Sequence, residues 1–240
     1  MSAKSRTDLA DMPEPGAGGS GASVDEITDR ILAAIWEHRL PPGTKLVEEK
    51  LAEVFGVSRT KVRLALGKLS HDSILTVEPN RGTFVSSPTV EQARQVFDAR
   101  RVVEACLVKE LAATAKKEQL ARLRKCTAQE AEARTRNDRR AIIRLSGEFH
   151  VLVAEASNNA YLSKYMRELC SLTCLVIALY DAPGVPSCPH HEHDEIVDAL
   201  EERDGERASA LMVEHLTHVE STLRLELPGS AEIDFKAVFG

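Results

Sequence analysis

The stretch that decides the fold runs from Leu40 to Leu66 and reads LPPGTKLVEEKLAEVFGVSRTKVRLAL. Its spacing predicts a short helix from about Glu48 to Phe55, a turn through Gly56 and a further helix after Ser58. Glycine favours the left-handed conformation that ends a helix, and serine is a preferred cap at the start of one. Helix, turn and helix together form a helix-turn-helix. The second helix has an apolar stripe of Val62, Ala65, Leu66 and Leu69.

The flanking sequence extends this unit in both directions. Upstream, Ser23 and Glu26 form a capping box at the start of a helix, which we expect to continue until Leu40 because proline follows. Downstream, two short extended segments at 74–78 and 83–85 surround the turn sequence PNRG at 79–82. We therefore predict a winged helix-turn-helix domain over residues 23–87.

Beyond residue 87 the pattern changes to helices alone. No convincing strand pattern occurs between Val90 and Leu225, so we predict one all-helical bundle over 88–228 and a mainly α fold class. The helical stripes lie at 90–115, 118–136, 138–157, 159–181, 190–203 and 205–226.

The two ends of the chain have a different composition. Residues 1–22 are rich in glycine, proline and serine, which predicts a disordered arm, and residues 229–240 are predicted to form a tail. The first 22 residues contain no apolar stretch of the kind that a secretory signal needs, and no apolar run is long enough to cross a bilayer. We therefore expect a cytoplasmic protein that has no membrane partner.

The overall charge at first argues against a nucleic-acid partner. The net charge is −6, from 31 basic and 37 acidic residues, whereas a nucleic-acid binder usually presents a basic surface. That charge is segregated, however. Residues 25–86 contain nine basic and nine acidic residues, and the segment from Ser58 to His71 holds four basic residues and no acid.

This basic segment has the properties of a DNA recognition helix. Arg59 and Arg63 are four residues apart and share a helical face, and arginine can bind guanine through two hydrogen bonds in the major groove. Arg59 lies in the first turn, the part of such a helix that reaches base edges. Ser58 and Thr60 are candidates for phosphate contacts, and Arg81 stands at the hairpin tip.

The quoted stretch, followed by PNRGTFV at 79–85, resembles the GntR family of bacterial transcription regulators. The resemblance implies that Arg59, Thr60 and Arg63 contact operator DNA and that Arg81 and Gly82 form the wing. Two positions depart from the family pattern. Lys61 replaces the usual proline and adds a possible phosphate contact. Leu64 replaces the usual glutamate, and two interpretations are open for it: packing against the helical domain or against a partner.

Three histidines interrupt apolar stripes on different predicted helices of the second domain. His150 lies beside Phe149 and Val153, His193 precedes Ile196, and His215 follows Met212. A buried imidazole needs a polar partner, so each histidine is either a satisfied core residue or part of a shared site. Three histidines that converge could supply neutral nitrogens to a divalent metal.

This half of the chain resembles the FCD domain, the helical effector module of the FadR-type GntR subfamily. The resemblance rests on the sequences around residues 149–159, 193–200 and 212–216, and it implies a metal held by an aspartate and three histidines. The matching histidines are His150, His193 and His215, but Ser146 occupies the usual aspartate position. Two outcomes are therefore open. A divalent metal such as zinc or nickel binds with water or ligand as the fourth donor, or no metal binds.

The resemblance also implies a small effector, usually a carboxylate. Residues that could bind its oxygens are Arg100, Arg101, Arg144 and Asn159. Arg100 is the best of them because the family places an arginine four residues before a glutamate, here Glu104. The alternative for Arg100 is an ordinary surface ion pair with Glu104.

Together these features predict a ligand-responsive transcriptional regulator that binds operator DNA as a homodimer and is not an enzyme. Two other functions are weighed against it. One is a helical metalloenzyme with an appended DNA-binding domain, although no convincing general base accompanies the histidines. The other is a DNA-binding protein that has no effector.

Overall fold

The computed structural model describes residues 21–181 and 191–225. The chain divides into two compact units, of which the first ends at Ser86 and the second begins at Ser87. The predicted arm at 1–22 lies outside the described residues except for its last two positions, and the predicted tail at 229–240 lies wholly outside them.

The described part of the first unit contains three helices: α1 (Val24–Trp36), α2 (Glu48–Phe55) and α3 (Arg59–His71). The predicted capping box is present, since the Ser23 and Glu26 side chains each accept a hydrogen bond from the other's backbone N–H. The prediction that α1 continues to Leu40 was wrong, because the helix ends at Trp36. The prolines are therefore not what ends it, and His38 already has a left-handed φ of 53°.

The helix-turn-helix forms as the sequence predicts. Gly56 ends α2 with a φ of 64°, and Ser58 caps α3 by accepting a hydrogen bond from the Lys61 N–H. Both α1 and α2 pack against α3. The buried side of α3 consists of the four predicted apolar residues, Val62, Ala65, Leu66 and Leu69.

A three-stranded antiparallel sheet completes this unit. Strands β2 (Leu75–Glu78) and β3 (Gly82–Val85) form the predicted wing, with Glu78 opposite Gly82 at the turn. Strand β1 (Lys45–Leu46) pairs with the other side of β3, which gives the order β1-β3-β2. The sequence did not predict β1 because two residues are too few to show an alternating pattern.

In the second unit, six helices lie near their predicted positions. Asn137 and Asn158 have positive φ values of 53° and 55°, and they mark two of the predicted breaks. Among the residues described in this unit, the only β pairing is an isolated bridge between Asp181 and Leu223. The helices are α4 (Val90–Thr114), α5 (Lys117–Thr135), α6 (Arg139–Ala156), α7 (Ala160–Tyr180), α8 (Glu192–Glu201) and α9 (Gly205–Ser221).

Helix packing brings several inward faces of this bundle together. Helix α4 packs against α6, α7, α8 and α9, while α5 packs against α6 and α8. Each of these six helices buries at least one polar side chain. No helix in the described ranges has both the length and the apolar character that a membrane span requires.

Candidate functional site

Helix α3 presents its two predicted DNA-reading arginines to solvent. The side chains of Arg59 and Arg63 are 62% and 64% exposed, as a groove-binding helix requires. Thr60 is also exposed. The Ser58 hydroxyl accepts the Lys61 N–H at 3.3 Å, so it already serves as the helix cap.

A glutamate from α2 binds these arginines, which the sequence analysis did not anticipate. Arg63 donates two hydrogen bonds to Glu48, from Nε to Oε1 at 2.9 Å and from Nη2 to Oε2 at 2.6 Å. Arg59 Nη2 lies 3.8 Å from Glu48 Oε2. The hydrogen bond from Arg63 lowers the pKa of Glu48. Glu48 therefore fixes the direction of the arginine fork, and its charge opposes an approaching phosphate.

We expect Glu48→Gln to increase affinity for a random-sequence DNA duplex by about threefold to tenfold at low salt, because one negative charge leaves the DNA-facing surface. Discrimination between operator and random DNA should fall, because Arg63 loses its bidentate support. Fluorescence anisotropy with both duplexes measures the two effects. Glu49→Gln is the matched control, since Glu49 is exposed in the same helical turn and carries the same charge. Equal affinity gains in the two variants would contradict a specific role for Glu48.

The wing places Arg81 at its tip, and that side chain is 71% exposed. It forms an ion pair with Glu78, and its guanidinium carbon lies 5.5 Å from the centre of the Phe84 ring. Gly82 has a φ of 111°, and a Cβ there would lie 3.2 Å from Lys45 Cε. Only glycine fits this turn without strain.

Lys61, the departure from the family pattern that adds a charge, reaches the segment that precedes α1. Its Nζ donates to the backbone oxygen of Gly21 at 3.3 Å, and Lys68 forms an ion pair with Asp25 at 2.6 Å. A phosphate contact by Lys61 therefore stays a prediction.

The second candidate site lies within the helical unit, where three histidines from three helices converge. His215 Nε2 on α9 lies 3.2 Å from His193 Nε2 on α8 and 3.2 Å from His150 Nε2 on α6. The three residues are only 1–4% exposed. Phe149 stacks on the His193 ring with centroids 4.3 Å apart. The three histidines are therefore not separate core residues but form one cluster.

Each histidine is held by its own carboxylate. The distances from Nδ1 to the carboxylate oxygen are 2.5 Å for His150 and Glu104, 2.7 Å for His193 and Glu130, and 2.6 Å for His215 and Glu192. These glutamates come from α4, α5 and α8.

The carboxylates determine what the imidazoles can bind. Burial lowers the pKa of His150 to about 3 and that of His215 to about 4, so both rings are neutral near pH 7. A neutral imidazole that donates Nδ1–H to a carboxylate keeps a lone pair on Nε2. Where two such lone pairs face each other at 3.2 Å, a cation between them is favourable. The donor set is therefore suited to a divalent metal.

Arg100 adds a buried cation next to this cluster. Its Nε donates to Glu104 Oε1 at 2.7 Å and its Nη1 to Thr173 Oγ1 at 3.1 Å, whereas the buried Nη2 has no hydrogen-bond partner. Although burial raises the pKa of Glu104, the Arg100 charge and His150 bring it down to about 2. The alternative of a surface pair was wrong, because Arg100 and Glu104 are 3% and 0% exposed.

Both sites lie in regions of the chain that match models of known protein families. The family model for the FCD domain matches residues 95–218, more than half of the chain, and the model for bacterial regulatory proteins of the gntR family matches 23–85. The chain belongs to the GntR family of transcriptional regulators. Its FCD domain carries the histidine cluster, and its GntR domain carries the recognition helix and wing.

Individual relatives of this GntR-family protein are also named as regulators. The transcriptional repressor RspR of Escherichia coli (strain K12) is 26% identical over 203 residues, which cover 84% of this chain and 89% of RspR. A protein of the same strain, named for regulating the L-lactate dehydrogenase operon, is 28% identical over 83% of this chain and 86% of its own. A GntR regulator structure from Rhodococcus sp. RHA1 has a TM-score of 0.72 at 27% identity, covering 82% of this chain and 95% of that one. These relatives are regulators, which sets aside the metalloenzyme alternative.

The FCD domain of this regulator offers three protein ligands for a metal. The nitrogens of His150, His193 and His215 are the candidate metal-binding cluster found among the described residues. A tetrahedral zinc ion with bonds of about 2.0–2.1 Å separates its ligand nitrogens by roughly 3.3 Å, close to the spacing here. Ser146 is half-buried one turn before His150, and its neutral hydroxyl does not replace a carboxylate. The residues fit a metal that keeps one position open for water or ligand.

The remaining effector candidates have other partners. Arg101 binds Glu220 at 2.6 Å and Arg144 binds Glu148 at 3.1 Å. Asn159 is exposed and caps α7 by accepting the N–H groups of residues 161 and 162. Of the four candidates, Arg100 is the one that the structure links to the histidines, through Glu104.

Glu130 and Glu192 were not predicted from the sequence as partners of the histidines. Glu130 was detectable in principle, because it falls at helical spacing among Leu123, Cys126 and Ala133 on the buried side of α5. An acid on an inward stripe indicates a buried partner. Glu192 left no such signal, since it lies in the first turn of α8, where acidic residues are ordinary.

Proposed function

We propose that this protein is a metabolite-responsive regulator that binds operator DNA as a homodimer, and that a small carboxylate in the histidine site changes its DNA affinity. One observation carries the effector part: three carboxylate-bound imidazoles direct their free nitrogens to one buried point. A domain with a purely structural core has no need of such an arrangement.

In this proposal His150, His193 and His215 hold a divalent metal such as zinc or nickel. When bound, the metal supplies a Lewis-acidic position that accepts a carboxylate oxygen. Arg100 has an unpartnered Nη2 that can donate to a second oxygen of the same ligand. The relative named for the L-lactate dehydrogenase operon supports a carboxylate effector, because lactate is a small hydroxycarboxylate.

In the proposed homodimer, the spacing of the two DNA-binding domains sets the form of the operator. Two recognition helices spaced about one turn of DNA would read a short inverted repeat. We infer that the dimer interface covers large apolar side chains that are exposed on α4 and α7: Val102, Tyr161, Tyr165 and Leu179. A regulator of operator DNA works in the bacterial cytoplasm, where we place this one.

Effector-independent DNA binding is the second candidate function, and the histidine site argues against it. Buried polar groups are costly unless they are paired, so a cluster of three histidines, three carboxylates and Arg100 indicates a specific role. A ligand can shift the protein between two states only if it binds them with different affinities. We therefore expect operator affinity to differ between the effector-bound and effector-free forms.

We expect Arg59→Ala to weaken operator binding by about 1–3 kcal/mol, because a bidentate arginine–guanine contact is lost at one base position. Anisotropy titrations with a duplex selected from a random library measure the loss. Arg39→Ala is the control, since Arg39 is half-exposed outside α3 and pairs with Glu37 at 2.6 Å. Unchanged affinity and base preference for Arg59→Ala would overturn the recognition assignment.

The same titrations test the effector. We expect one of a panel of small monocarboxylates, added with zinc, to change operator affinity at least tenfold in the wild-type protein. His215→Ala should bind the operator but not respond to the panel. A response that persists in His215→Ala would place the effector elsewhere.

A further inference from the structure

Leu64 is a large apolar residue that the fold leaves in solvent. It lies in the middle of α3, and 59% of its surface is exposed. It contributes little to the core of the first unit, whose contacts with α3 are made by Val62, Ala65, Leu66 and Leu69. Exposure of a leucine on the helix that reads DNA calls for a functional explanation.

Helical geometry places Leu64 at the centre of the outward face of α3. At 100° per residue, Thr60, Leu64, Gly67 and His71 form one stripe directly opposite the buried residues. Arg59 and Arg63 border this stripe on one side, and the other side is bordered by Lys61 and Lys68. The apolar side chain of Leu64 thus lies between a pair of arginines and a pair of lysines.

The major groove of DNA has the complementary pattern. Its floor contains one apolar group, the thymine methyl, and a row of phosphates runs along each edge. This face of α3 can approach the floor of the major groove closely, because Gly67 has no side chain and open space lies beside it. A leucine at this place can contact a thymine methyl while Arg59 and Arg63 beside it reach base edges.

We propose that Leu64 reads a thymine methyl in the operator and so determines sequence preference at one base pair of each half-site. The inference rests on the operator binding proposed above. A protein partner is the less suitable occupant, since lysine is depleted in protein interfaces whereas Lys61 and Lys68 border Leu64.

Thymine-to-uracil substitution tests the proposal, because it removes the methyl group and leaves the base pairing unchanged. A duplex selected with the wild-type protein from a random library is resynthesised with each thymine replaced in turn by deoxyuracil. We expect one position per half-site at which wild-type affinity falls about fourfold, the effect of one buried methyl group. Leu64→Ala should lose affinity for the thymine duplex and no longer distinguish thymine from uracil there.

Two further variants complete the experiment. Leu64→Met keeps an apolar side chain of similar volume and should retain sensitivity to the methyl group. Val54→Ala trims an apolar side chain that is 71% exposed on α2, and it should leave the uracil profile unchanged. Both positions are exposed, so neither change threatens folding.

The possible outcomes separate this inference from operator binding itself. Binding that depends on Arg59 but has the same uracil profile in wild type and Leu64→Ala would keep the proposed function and overturn the role of Leu64. Binding that is insensitive to Arg59→Ala would instead remove the proposed recognition mode. A changed oligomeric state of Leu64→Ala in sedimentation, together with an unchanged uracil profile, would assign Leu64 to a protein interface.

Discussion

We expect zinc to raise the unfolding temperature of the wild-type protein by about 10 °C, because the histidine cluster binds it. His215→Ala should abolish this increase. Metal present at 1,000 times its dissociation constant stabilises a folded protein by about 4 kcal/mol. For a chain of this size each kcal/mol corresponds to roughly 2–4 °C. His215 is decisive because its Nε2 lies 3.2 Å from both other histidine nitrogens.

Thermal unfolding of chelator-stripped protein, with and without added zinc or nickel, measures this effect. The quantity compared is the increase caused by metal, so any destabilisation of the metal-free variant does not enter. His218→Ala is the matched control, because His218 shares the Glu192 carboxylate at 2.8 Å but is 45% exposed. Absence of a metal effect in the wild type, or an equal effect in His215→Ala, would show that the cluster binds no metal.

Glu104→Ala should lower the free energy of unfolding by about 3–5 kcal/mol, the range expected when one member of a buried ion pair is removed. The glutamate is fully buried and is bound by Arg100 at 2.7 Å and His150 at 2.5 Å. Without it, the Arg100 charge has no counter-ion and His150 loses its acceptor. Urea denaturation followed by circular dichroism gives the free energy directly.

An exposed pair of the same type supplies the control for Glu104. Glu132 pairs with Arg136 on α5 at the same four-residue spacing, but its side chain is 66% exposed. Glu132→Ala should therefore cost only about 0.3–0.5 kcal/mol. Replacing both partners, as Arg100→Met with Glu104→Leu, should recover much of the stability because no buried charge remains. A loss below about 1 kcal/mol for Glu104→Ala would mean that water reaches the pair.

Sequence predicted the elements whose determinants are local. Gly56 and Ser58 set the turn of the helix-turn-helix through their own conformational preferences, and Ser23 with Glu26 set the start of α1. The helices of the second unit follow from the 3.6-residue spacing of their apolar residues. The sequence did not predict where α1 ends, because the chain turns left-handed at His38 without a glycine to mark the turn.

The features that sequence could not supply are contacts between distant residues. Glu48 and Arg63 are 15 residues apart, and Glu130 and His193 are 63 apart. The residue spacing within one helix does not predict such contacts with another helix. The four-residue spacing of Arg100 and Glu104 predicted their contact correctly, but its burial followed only from the packing of α4. The histidines themselves were found because polar residues on apolar stripes need partners.

The carboxylate–histidine pairs also have a mechanical consequence, which is clearest for α8. This helix supplies His193 to the cluster and Glu192 to His215, so it is tied to α5 through Glu130 and to α9 through His215. Arg124 of α5 further binds Asp198 at 2.6 Å and Glu201 at 2.7 Å on the outer side of α8. Helix α8 is therefore constrained on several sides. A rotation of α8 would move both the His193 ring and the Glu192 carboxylate that binds His215. We therefore expect a ligand that displaces one of these imidazoles to move α5, α8 and α9 together.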